Sequence, residues 1–459
     1  MLSIHPLDAG ISELRSRIDG TVVLPGEDAW DAARQAWNLA VDQRPALVAL
    51  PRSVPDVQAL VDFARAHGLR IAMQGTGHNA APLGPLDGTV LVKTSEMRGV
   101  EIDAAHCVAR VEAGALWMDV TGPASEVGLA ALAGSSPDVG VVGYTLGGGL
   151  SWLGRRYGLA CNRLLAVELV NADGRLVRTS RHEQPELFWA LRGGGGNFGA
   201  VVAIEFELIP VRTVHAGMLA FPWERSREVL QAWREWTQDV PESVTTSARI
   251  LQLPPLPDIP EIVRGRGLVV IDGAILESAE RAEELLAPLR ALGPEIDTFA
   301  DMAPAGLSYI HMDPEHPVPG VGDSTMLDAL PAEAIDALVD AAGPGSDSPL
   351  LLVELRHLGG ALGRYAGGAL SRFHGQYLYF GCGMAVDPGV VAALEARFAI
   401  VAEALRPYES GRQYLNFAER TTDPAAFYGE ETYKRLRRVK AEVDPLEIFR
   451  ANHQIPAAA

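Results

Sequence analysis

The stretch Gln74-Gly75-Thr76-Gly77-His78-Asn79 decides how the rest of this chain is interpreted. It follows an apolar run over residues 69–73 that predicts a buried strand. The two glycines allow a tight turn that exposes successive backbone N–H groups, and a nest of this kind suits a pyrophosphate. His78 ends the turn, where a cofactor held by its phosphates would present its ring. A tight turn with a solvated histidine is the alternative, because so short a pattern is weak on its own.

Two later glycine-rich stretches favour the cofactor interpretation. Residues 134–149 combine glycines with apolar β-branched residues, and this composition suits backbone that lies close against a flat ligand. An irregular glycine-rich loop is the alternative interpretation. Residues 193–199 read Gly-Gly-Gly-Gly-Asn-Phe-Gly and follow a short helix predicted over 185–192. Because this run follows a helix rather than a strand, it does not fit the glycine pattern of an NAD-binding fold.

The first half of the chain predicts alternating helices and strands. We expect a helix over 28–44, a strand over 46–50, and a helix that Ser53 caps and Gly68 ends. Residues 166–179 predict a β-hairpin, since an Asp-Gly pair separates two apolar runs. Further predictions are strands over 90–92, 109–114 and 202–208 and a helix over 116–128.

A chain of 459 residues is longer than one hydrophobic core usually supports, so two domains are expected. The composition changes from about residue 211, where the second domain would begin. Strands over 243–253 and 267–276 would pair around a proline-rich loop at 254–260. Such strand and helix groups predict an antiparallel sheet with helices on one face, an α+β domain. The other elements predicted here are helices over 223–236, 278–292, 331–341 and 394–405 and strands over 350–355 and 376–386.

Composition and charge exclude several classes of function. A net charge of −19 argues against an extended nucleic-acid surface, which needs clustered basic residues. No run of 18 apolar residues predicts a membrane span, and the first residues lack the features of a signal peptide. The three cysteines (Cys107, Cys161 and Cys382) are widely spaced and form no disulfide framework. We therefore expect a reduced, cytoplasmic protein, with a homodimer left open.

Near the C-terminus, basic residues cluster in a predicted helix. The cluster comprises Arg435, Arg437, Arg438 and Lys440. Its spacing predicts a solvated helix face.

Taken together, the motifs resemble the FAD-linked oxidases with a vanillyl-alcohol-oxidase-like (PCMH-type) flavin domain, and within them the berberine-bridge-enzyme-like group. The resemblance implies an α+β fold with a two-part PCMH-type FAD-binding domain. Residues 1–210 would form its first part, residues 414–459 would return to it, and residues 211–413 would form the inserted α+β substrate domain. The matching motifs are Gly75–Asn79, Val139–Gly149, Pro185–Gly199, Tyr414-x-Asn416-Phe417 and Asp444-Pro445-x-x-Ile448-Phe449.

The resemblance implies FAD attached covalently through His78 to the 8α carbon of the flavin. Many members of the group add a second link from a cysteine eleven residues before the Gly-Gly-Gly run. Ser136 stands at that position here and cannot form a thioether, so a single attachment is expected. The positions implied to bind the cofactor are Gln74, Gly75, Thr76, Gly77, His78, Asn79, Ser136, Val139, Gly140, Gly143, Tyr144, Gly147, Gly148, Gly149, Asn197, Gly199, Val201 and Asn416.

Tyr414 and Asn416 are the expected catalytic residues. Tyr414 matches the base of several sugar and polyketide oxidases in the group, and a phenol needs a lowered pKa for that role at neutral pH. A core tyrosine that hydrogen-bonds the flavin edge is the alternative. Asn416 is expected to contact flavin or substrate, because an amide does not titrate.

Glu354 and Arg356 are the expected substrate-binding residues. As alternate residues of a strand they share one face, and they would line the substrate cavity if that face looks towards the flavin. A structural ion pair is the alternative. His311, His316 and His374 are further pocket candidates, and since their spacing does not suit a metal site we expect no metal.

The implied activity is that of an FAD-dependent oxidase. It would take a hydride from an alcohol or amine carbon of a small, secondary-metabolite-like molecule and pass the electrons to O₂, giving H₂O₂. A dehydrogenase with another acceptor and a flavin-binding protein without turnover are the alternatives. The presence of Tyr414 and Asn416 counts against the second of these.

Overall fold

The computed structural model describes residues 6–257, 259 and 261–458. Residues 1–5, on which the expectation of no signal peptide largely rests, lie outside the described residues. So do Asp258 and Pro260 of the predicted proline-rich loop. Within the described ranges, no helix combines the length and the apolar character needed to cross a lipid bilayer.

The chain up to residue 210 alternates short helices and strands. The helices are α1 (Pro6–Arg17), α2 (Trp30–Arg34), α3 (Val54–His67), α4 (Trp117–Glu126), α5 (Val141–Leu146), α6 (Gly154–Tyr157) and α7 (Pro185–Leu191). The strands are β1 (Thr21–Val23), β2 (Leu47–Leu50), β3 (Arg70–Gln74), β4 (Thr89–Lys93), β5 (Val100–Asp103), β6 (Val108–Glu112), β7 (Leu164–Val170), β8 (Leu176–Ser180) and β9 (Ala200–Glu207).

The middle of the chain has longer strands, and a helical segment follows it. The strands are β10 (Val214–Pro222), β11 (Val244–Gln252), β12 (Gly267–Ile275), β13 (Ile296–Asp297), β14 (Ala300–Met302), β15 (Gly320–Leu327), β16 (Leu352–His357) and β17 (Tyr377–Met384). The helices are α8 (Ser226–Trp236), α9 (Ala279–Arg290), α10 (Ala332–Ala342) and α11 (Pro388–Leu405). The C-terminal segment adds α12 (Ala425–Tyr428), α13 (Glu430–Val443) and β18 (Phe449–Arg450).

Three sheets organise these strands. The first has the order β1-β2-β4-β3-β18 and is parallel except for β1, with the C-terminal β18 paired to β3. The second, β5-β6-β9-β7-β8, is antiparallel. The third, β13-β10-β12-β11-β16-β17-β15 with β14 beside β10, is also antiparallel, and α8 to α11 pack apolar side chains into its core.

Local signals in the first half of the chain predict many of its elements, but they give no prediction for α1, β1, β5, α5 and α6. The Ser53 hydroxyl accepts a hydrogen bond from the Asp56 N–H (3.3 Å), and Gly68 ends α3 in the left-handed region (φ 65°). The helix expected over 28–44 is wrong beyond α2. The Trp37 N–H donates instead to the Thr76 carbonyl (2.9 Å), because this segment lies against the glycine turn rather than coiling on itself.

The basic cluster near the C-terminus is not a solvated face at Lys440, whose side chain is fully buried on α13. Its ammonium donates to Asp444 Oδ2 (2.6 Å), one helical turn later. It also donates to the carbonyls of Asn197 (2.6 Å) and Phe449 (3.0 Å). Lys440 therefore joins the glycine-rich loop before β9 to the C-terminal strand.

Candidate active site

A cavity of about 1060 Å³ is lined by residues from all three sheets. Gln74 from β3 and Val201 from β9 form one part of its wall, and Glu354 from β16 forms another. Apolar side chains, among them Leu251, Leu352 and Val263, line the side formed by the third sheet. A cavity of this size with apolar walls and a few polar groups is typical of a ligand site.

Most of the residues predicted for the site line this one cavity. Among the described residues, Gly147, Gly148 and Gly149 are not part of its lining, and of the three candidate histidines only His311 and His316 are. The predicted residues that line the cavity are Gln74, Gly75, Thr76, Gly77, His78, Asn79, Ser136, Val139, Gly140, Gly143, Tyr144, Asn197, Gly199, Val201, Glu354, Arg356, Tyr414 and Asn416.

His78 is held by three neighbours. Its ring stacks on Trp37, with centroids 4.0 Å apart and an interplanar angle of 18°, and its Nδ1 lies 2.7 Å from the Thr76 hydroxyl. Its Nε2 lies 3.4 Å from Asp138 Oδ1. The turn that delivers it requires glycine at position 77, where φ is 89° and a Cβ would lie 2.9 Å from that of Ala36.

Two of these neighbours are not predicted from the sequence. Trp37 lies in the stretch over which a helix is expected, and Asp138 lies in a stretch whose clearest feature is its glycines. In the structure the Trp37 indole N–H donates to Asp138 Oδ2 (2.5 Å), so one residue both stacks on His78 and holds the carboxylate beside it. No signal in the sequence connects positions that are 101 residues apart.

The Gly147–Gly149 run lies behind Tyr414 and Asn416 rather than facing the cavity. The Gly149 N–H donates to the Tyr414 hydroxyl (2.9 Å), and a Cβ at Gly147 would overlap Asn416 Oδ1. The Asn416 amide donates to the same hydroxyl (3.1 Å) and to the Tyr144 carbonyl (2.9 Å). These glycines therefore position the expected catalytic pair by allowing close backbone approach.

The Tyr414 hydroxyl is arranged as a donor. Burial raises the pKa of Tyr414 above its ordinary value, against the opposing effect of the Gly149 N–H, so the phenol stays protonated at neutral pH. Its oxygen already accepts two hydrogen bonds, which leaves its O–H available to the cavity. This geometry favours Tyr414 as a hydrogen-bond donor over a base at neutral pH.

A buried polar cluster lies on the side of the cavity that the third sheet forms. His311 Nδ1 lies 2.8 Å from Asp272 Oδ2, and Arg249 also donates to that carboxylate. Although burial raises it, Arg249 and His311 hold the pKa of Asp272 down at about 2, so this carboxylate is ionised. His311 is thereby oriented with Nε2 3.4 Å from Glu354 Oε1.

Glu354 lacks the hydrogen bonds that a buried carboxylate normally has. Arg356 Nε forms an ion pair with Oε1 (2.8 Å), and neither carboxylate oxygen, both of them buried, has a partner that meets hydrogen-bond geometry among the described residues. The Arg356 guanidinium instead lies over the Phe417 ring, 4.9 Å from its centroid. A buried acceptor left without a donor calls for a ligand or water to supply one.

Ser136 is engaged on this side of the cavity. Its hydroxyl and that of Ser135 each donate to Asp313 Oδ2 (2.7 Å). The loop that carries Asp313 is therefore hydrogen-bonded to the glycine-rich stretch 134–149. One of these bonds is made by Ser136, the position at which a second cofactor link would need a cysteine.

Glu419 also lines the cavity, and burial raises its pKa to about 7. Because the folded chain binds this proton more tightly than the unfolded chain, Glu419 lowers the free energy of unfolding as pH rises from about 4.5 through about 7. We expect Glu419→Gln to remove this contribution, so that the variant gains stability relative to wild type over that interval. Urea unfolding at a series of pH values measures the difference.

The matched control for this prediction is Glu333→Gln, at an exposed position on α10. Its stability should follow that of wild type across the same pH series. A constant difference between Glu419→Gln and wild type from pH 4 to pH 8 would contradict the raised pKa.

The residues present fit FAD, the cofactor that the resemblance implies. Buried polar atoms that have no hydrogen-bond partner among the described residues line the part of the cavity that the glycine turns form, namely Gln74 Oε1, Asn79 Oδ1 and Tyr144 OH. No heavy atom of the described residues would lie within 4 Å of a Cβ at Gly143, so the wall is open there. A large, polar and partly flat ligand would fill the cavity and would supply hydrogen-bond partners to these atoms.

Comparison with known proteins agrees with this arrangement. The family described as FAD binding domain matches residues 45–180, and the one described as berberine and berberine like matches residues 413–456. The (R)-6-hydroxynicotine oxidase of Paenarthrobacter nicotinovorans is 31% identical over 463 residues, which cover 95% of this chain and 97% of that protein.

Solved structures show the same likeness. The crystal structure of 6-hydroxy-D-nicotine oxidase from Arthrobacter nicotinovorans has a TM-score of 0.80 and 28% identity, covering 95% of this chain and 98% of that one. Wild-type BBE-like 1 from Physcomitrella patens has a TM-score of 0.84 and 20% identity, covering 98% and 99%. Together with the sheets described above, these likenesses confirm the fold class expected from the sequence.

Proposed function

Because the chain belongs to the berberine-bridge-enzyme-like FAD-linked oxidoreductases, we propose that it oxidises an alcohol or amine carbon of a small organic molecule and passes the electrons to O₂. It is an FAD-dependent enzyme. The substrate class and the use of O₂ as electron acceptor are what we propose. Residues 1–210 and 414–459 form the FAD-binding part in this proposal, and residues 211–413 form the substrate part.

FAD is attached through His78 alone. An imidazole nitrogen bonds to the flavin 8α carbon with the net loss of two hydrogens, and O₂ takes up the two electrons and two protons as H₂O₂. The hydroxyl of Ser136 supplies no second link, since it has no thiol to form a thioether. The stacking of Trp37 on the imidazole supports this assignment, because it fixes the ring against the cavity wall.

One observation carries the proposed function: a single cavity is lined both by the residues expected to hold FAD and by Glu354, whose carboxylate oxygens have no hydrogen-bond partner in the described part of the chain. When bound, the flavin accepts a hydride from the substrate carbon. Tyr414 donates a hydrogen bond near this point, and Asn416 holds the Tyr414 oxygen in place.

Glu354 supplies the recognition of the substrate in this proposal. Its carboxylate, of which Oε1 is also ion-paired with Arg356, accepts hydrogen bonds from the hydroxyl or amine of the substrate, while the apolar wall covers the rest of the molecule. An ammonium group suits a buried carboxylate particularly well. In this proposal the Glu354 carboxylate takes the proton of the ammonium or hydroxyl, and the neutral amine or the alkoxide then gives up the hydride. The similarity to an enzyme named (R)-6-hydroxynicotine oxidase supports a substrate that carries an amine.

A substrate screen tests the proposal directly. The purified holoprotein is mixed with a panel of secondary-metabolite amines and alcohols, without oxygen, and bleaching of the flavin absorbance identifies compounds that donate a hydride. The same compounds are then tested in air for peroxide. Bleaching without peroxide would assign a dehydrogenase with another acceptor, and no bleaching by any amine or alcohol would overturn the substrate class.

Glu354→Gln is expected to lower kcat/KM for the substrate so identified by about 10- to 100-fold, since a hydrogen bond to a charged group contributes about 1.5–3 kcal/mol. Steady-state peroxide production measures it. Flavin content and absorbance should stay those of wild type, because Glu354 lies on β16 of the third sheet and is not part of the glycine turns expected to hold FAD.

The control again is Glu333→Gln, which carries the same chemical change at an exposed position of α10. Its kcat/KM should equal that of wild type. Unchanged kinetics in Glu354→Gln would mean that Glu354 and Arg356 form a structural ion pair without contact to the substrate.

A further inference from the structure

Asp138 and His78 face each other with unused hydrogen-bonding capacity. Asp138 Oδ1 and His78 Nε2 are 3.4 Å apart, and both atoms are buried without a hydrogen-bond partner among the described residues. The other carboxylate oxygen accepts the Trp37 indole N–H (2.5 Å), and the Trp37 ring stacks on the His78 imidazole. Trp37, His78 and Asp138, which come from separate parts of the chain, therefore meet around His78 Nε2. The other ring nitrogen, Nδ1, faces the Thr76 hydroxyl.

This geometry selects a tautomer of His78. A carboxylate oxygen beside Nε2 stabilises a hydrogen on that nitrogen and repels a lone pair there. The hydrogen therefore resides on Nε2, and the lone pair resides on Nδ1. The polar neighbour of Nδ1 is the Thr76 hydroxyl, a rotatable group that can donate to it and withdraw.

From this arrangement we infer that Asp138 is a positioning residue for the covalent attachment of FAD, which holds His78 as the Nε2–H tautomer and receives the Nε2 proton when Nδ1 forms its bond. This inference rests on the proposed attachment at His78. The balance is complete: Nδ1 gains the bond to the 8α carbon, the Nε2 proton moves to the Asp138 carboxylate, and the 8α carbon loses one hydrogen. The two electrons left behind reduce O₂, which with two protons gives H₂O₂.

Trp37 helps to position both Asp138 and His78. Its indole N–H neutralises part of the charge on Oδ2 and fixes the direction in which Oδ1 points, while its ring keeps the imidazole from rotating. Trp37→Phe keeps an aromatic ring for stacking but removes the donor. Asp138→Asn keeps the shape of the carboxylate, yet its amide can donate to Nε2 and so shift the hydrogen to Nδ1.

The test follows attachment, not turnover, so it needs no known substrate. Each full-length variant is purified, incubated with FAD in air, and sampled over time for flavin that stays with the acid-precipitated protein. We expect Asp138→Asn to attach FAD at least about tenfold more slowly than wild type, since a hydrogen bond to a charged group contributes about 1.5–3 kcal/mol. Its acid-released, non-covalent FAD should rise to compensate.

Two further variants separate positioning from a merely structural role. Asp138→Glu restores the carboxylate and should recover part of the rate, and Trp37→Phe should attach FAD at a rate between wild type and Asp138→Asn. Wild-type attachment in Asp138→Asn overturns the inference. So does loss of all FAD from Asp138→Asn together with a wild-type rate in Trp37→Phe.

The failure of the underlying proposal has a different signature. If wild type itself releases all its flavin into the acid supernatant, the His78 link fails, and this inference fails with it. If wild type retains flavin and Asp138→Asn retains it equally fast, only the role of Asp138 is overturned.

Discussion

Replacing His78 by alanine is expected to abolish acid-stable flavin, while wild-type protein keeps its yellow colour in the acid pellet. Alanine has no nitrogen to bond to the 8α carbon, and Ser136 supplies no alternative link, so the expected loss is complete. The polar atoms of Gln74 and Asn79 remain, so the variant should still bind FAD reversibly. Flavin absorbance in pellet and supernatant after acid denaturation measures the partition, and the mass of the intact chain checks it.

His106→Ala is the matched control, because that histidine is exposed in the turn between β5 and β6 and contacts only Asp103 among described partners. It should leave the pellet as yellow as wild type. Colour in the supernatant of wild-type protein would remove the covalent bond and keep the flavin site. A His78→Ala pellet that stays yellow would move the bond to another residue.

The parts of the site that were predictable from sequence are those in which neighbours in the chain are also neighbours in space. The turn that carries His78 and the Tyr414–Asn416 pair belong to this kind, since a glycine pair or an i, i+2 spacing already defines the local geometry. The α3 helix is similar, because Ser53 and Gly68 are adjacent to the groups they cap.

The parts that were not predictable depend on contacts between distant segments. Asp272, Arg249 and His311 meet only because β11 pairs with β12 and the loop after β14 covers them. Strand β15 contains two glycines and three polar residues, and β10 contains one glycine and one histidine and ends at a proline, so neither local pattern clearly indicates a strand. Antiparallel pairing with neighbouring strands completes both. The solvated face predicted around Lys440 failed for the same reason.

Lys440→Met is expected to lower the free energy of unfolding by about 3–5 kcal/mol, because it leaves the Asp444 carboxylate buried without its counter-ion. Asp444 would keep the backbone N–H groups of Ile448 and Phe449 as donors, which are weaker partners for a charge. The Asn197 carbonyl would lose its ammonium donor as well, so the loop at the cavity wall should loosen and FAD should bind more weakly.

Urea unfolding followed by tryptophan fluorescence measures this loss, and Lys434→Met supplies the control on the same helix. Lys434 is exposed and pairs only with Glu430 and Glu431 among described partners, so its replacement should change stability by less than about 0.5 kcal/mol. The double variant Lys440→Met with Asp444→Asn removes the unpaired charge and should recover part of the loss. If Lys440→Met unfolds at the wild-type urea concentration, the buried pair adds no measurable stability to the contact between the C-terminal segment and the loop at Asn197, and the weaker binding of FAD should then be absent too.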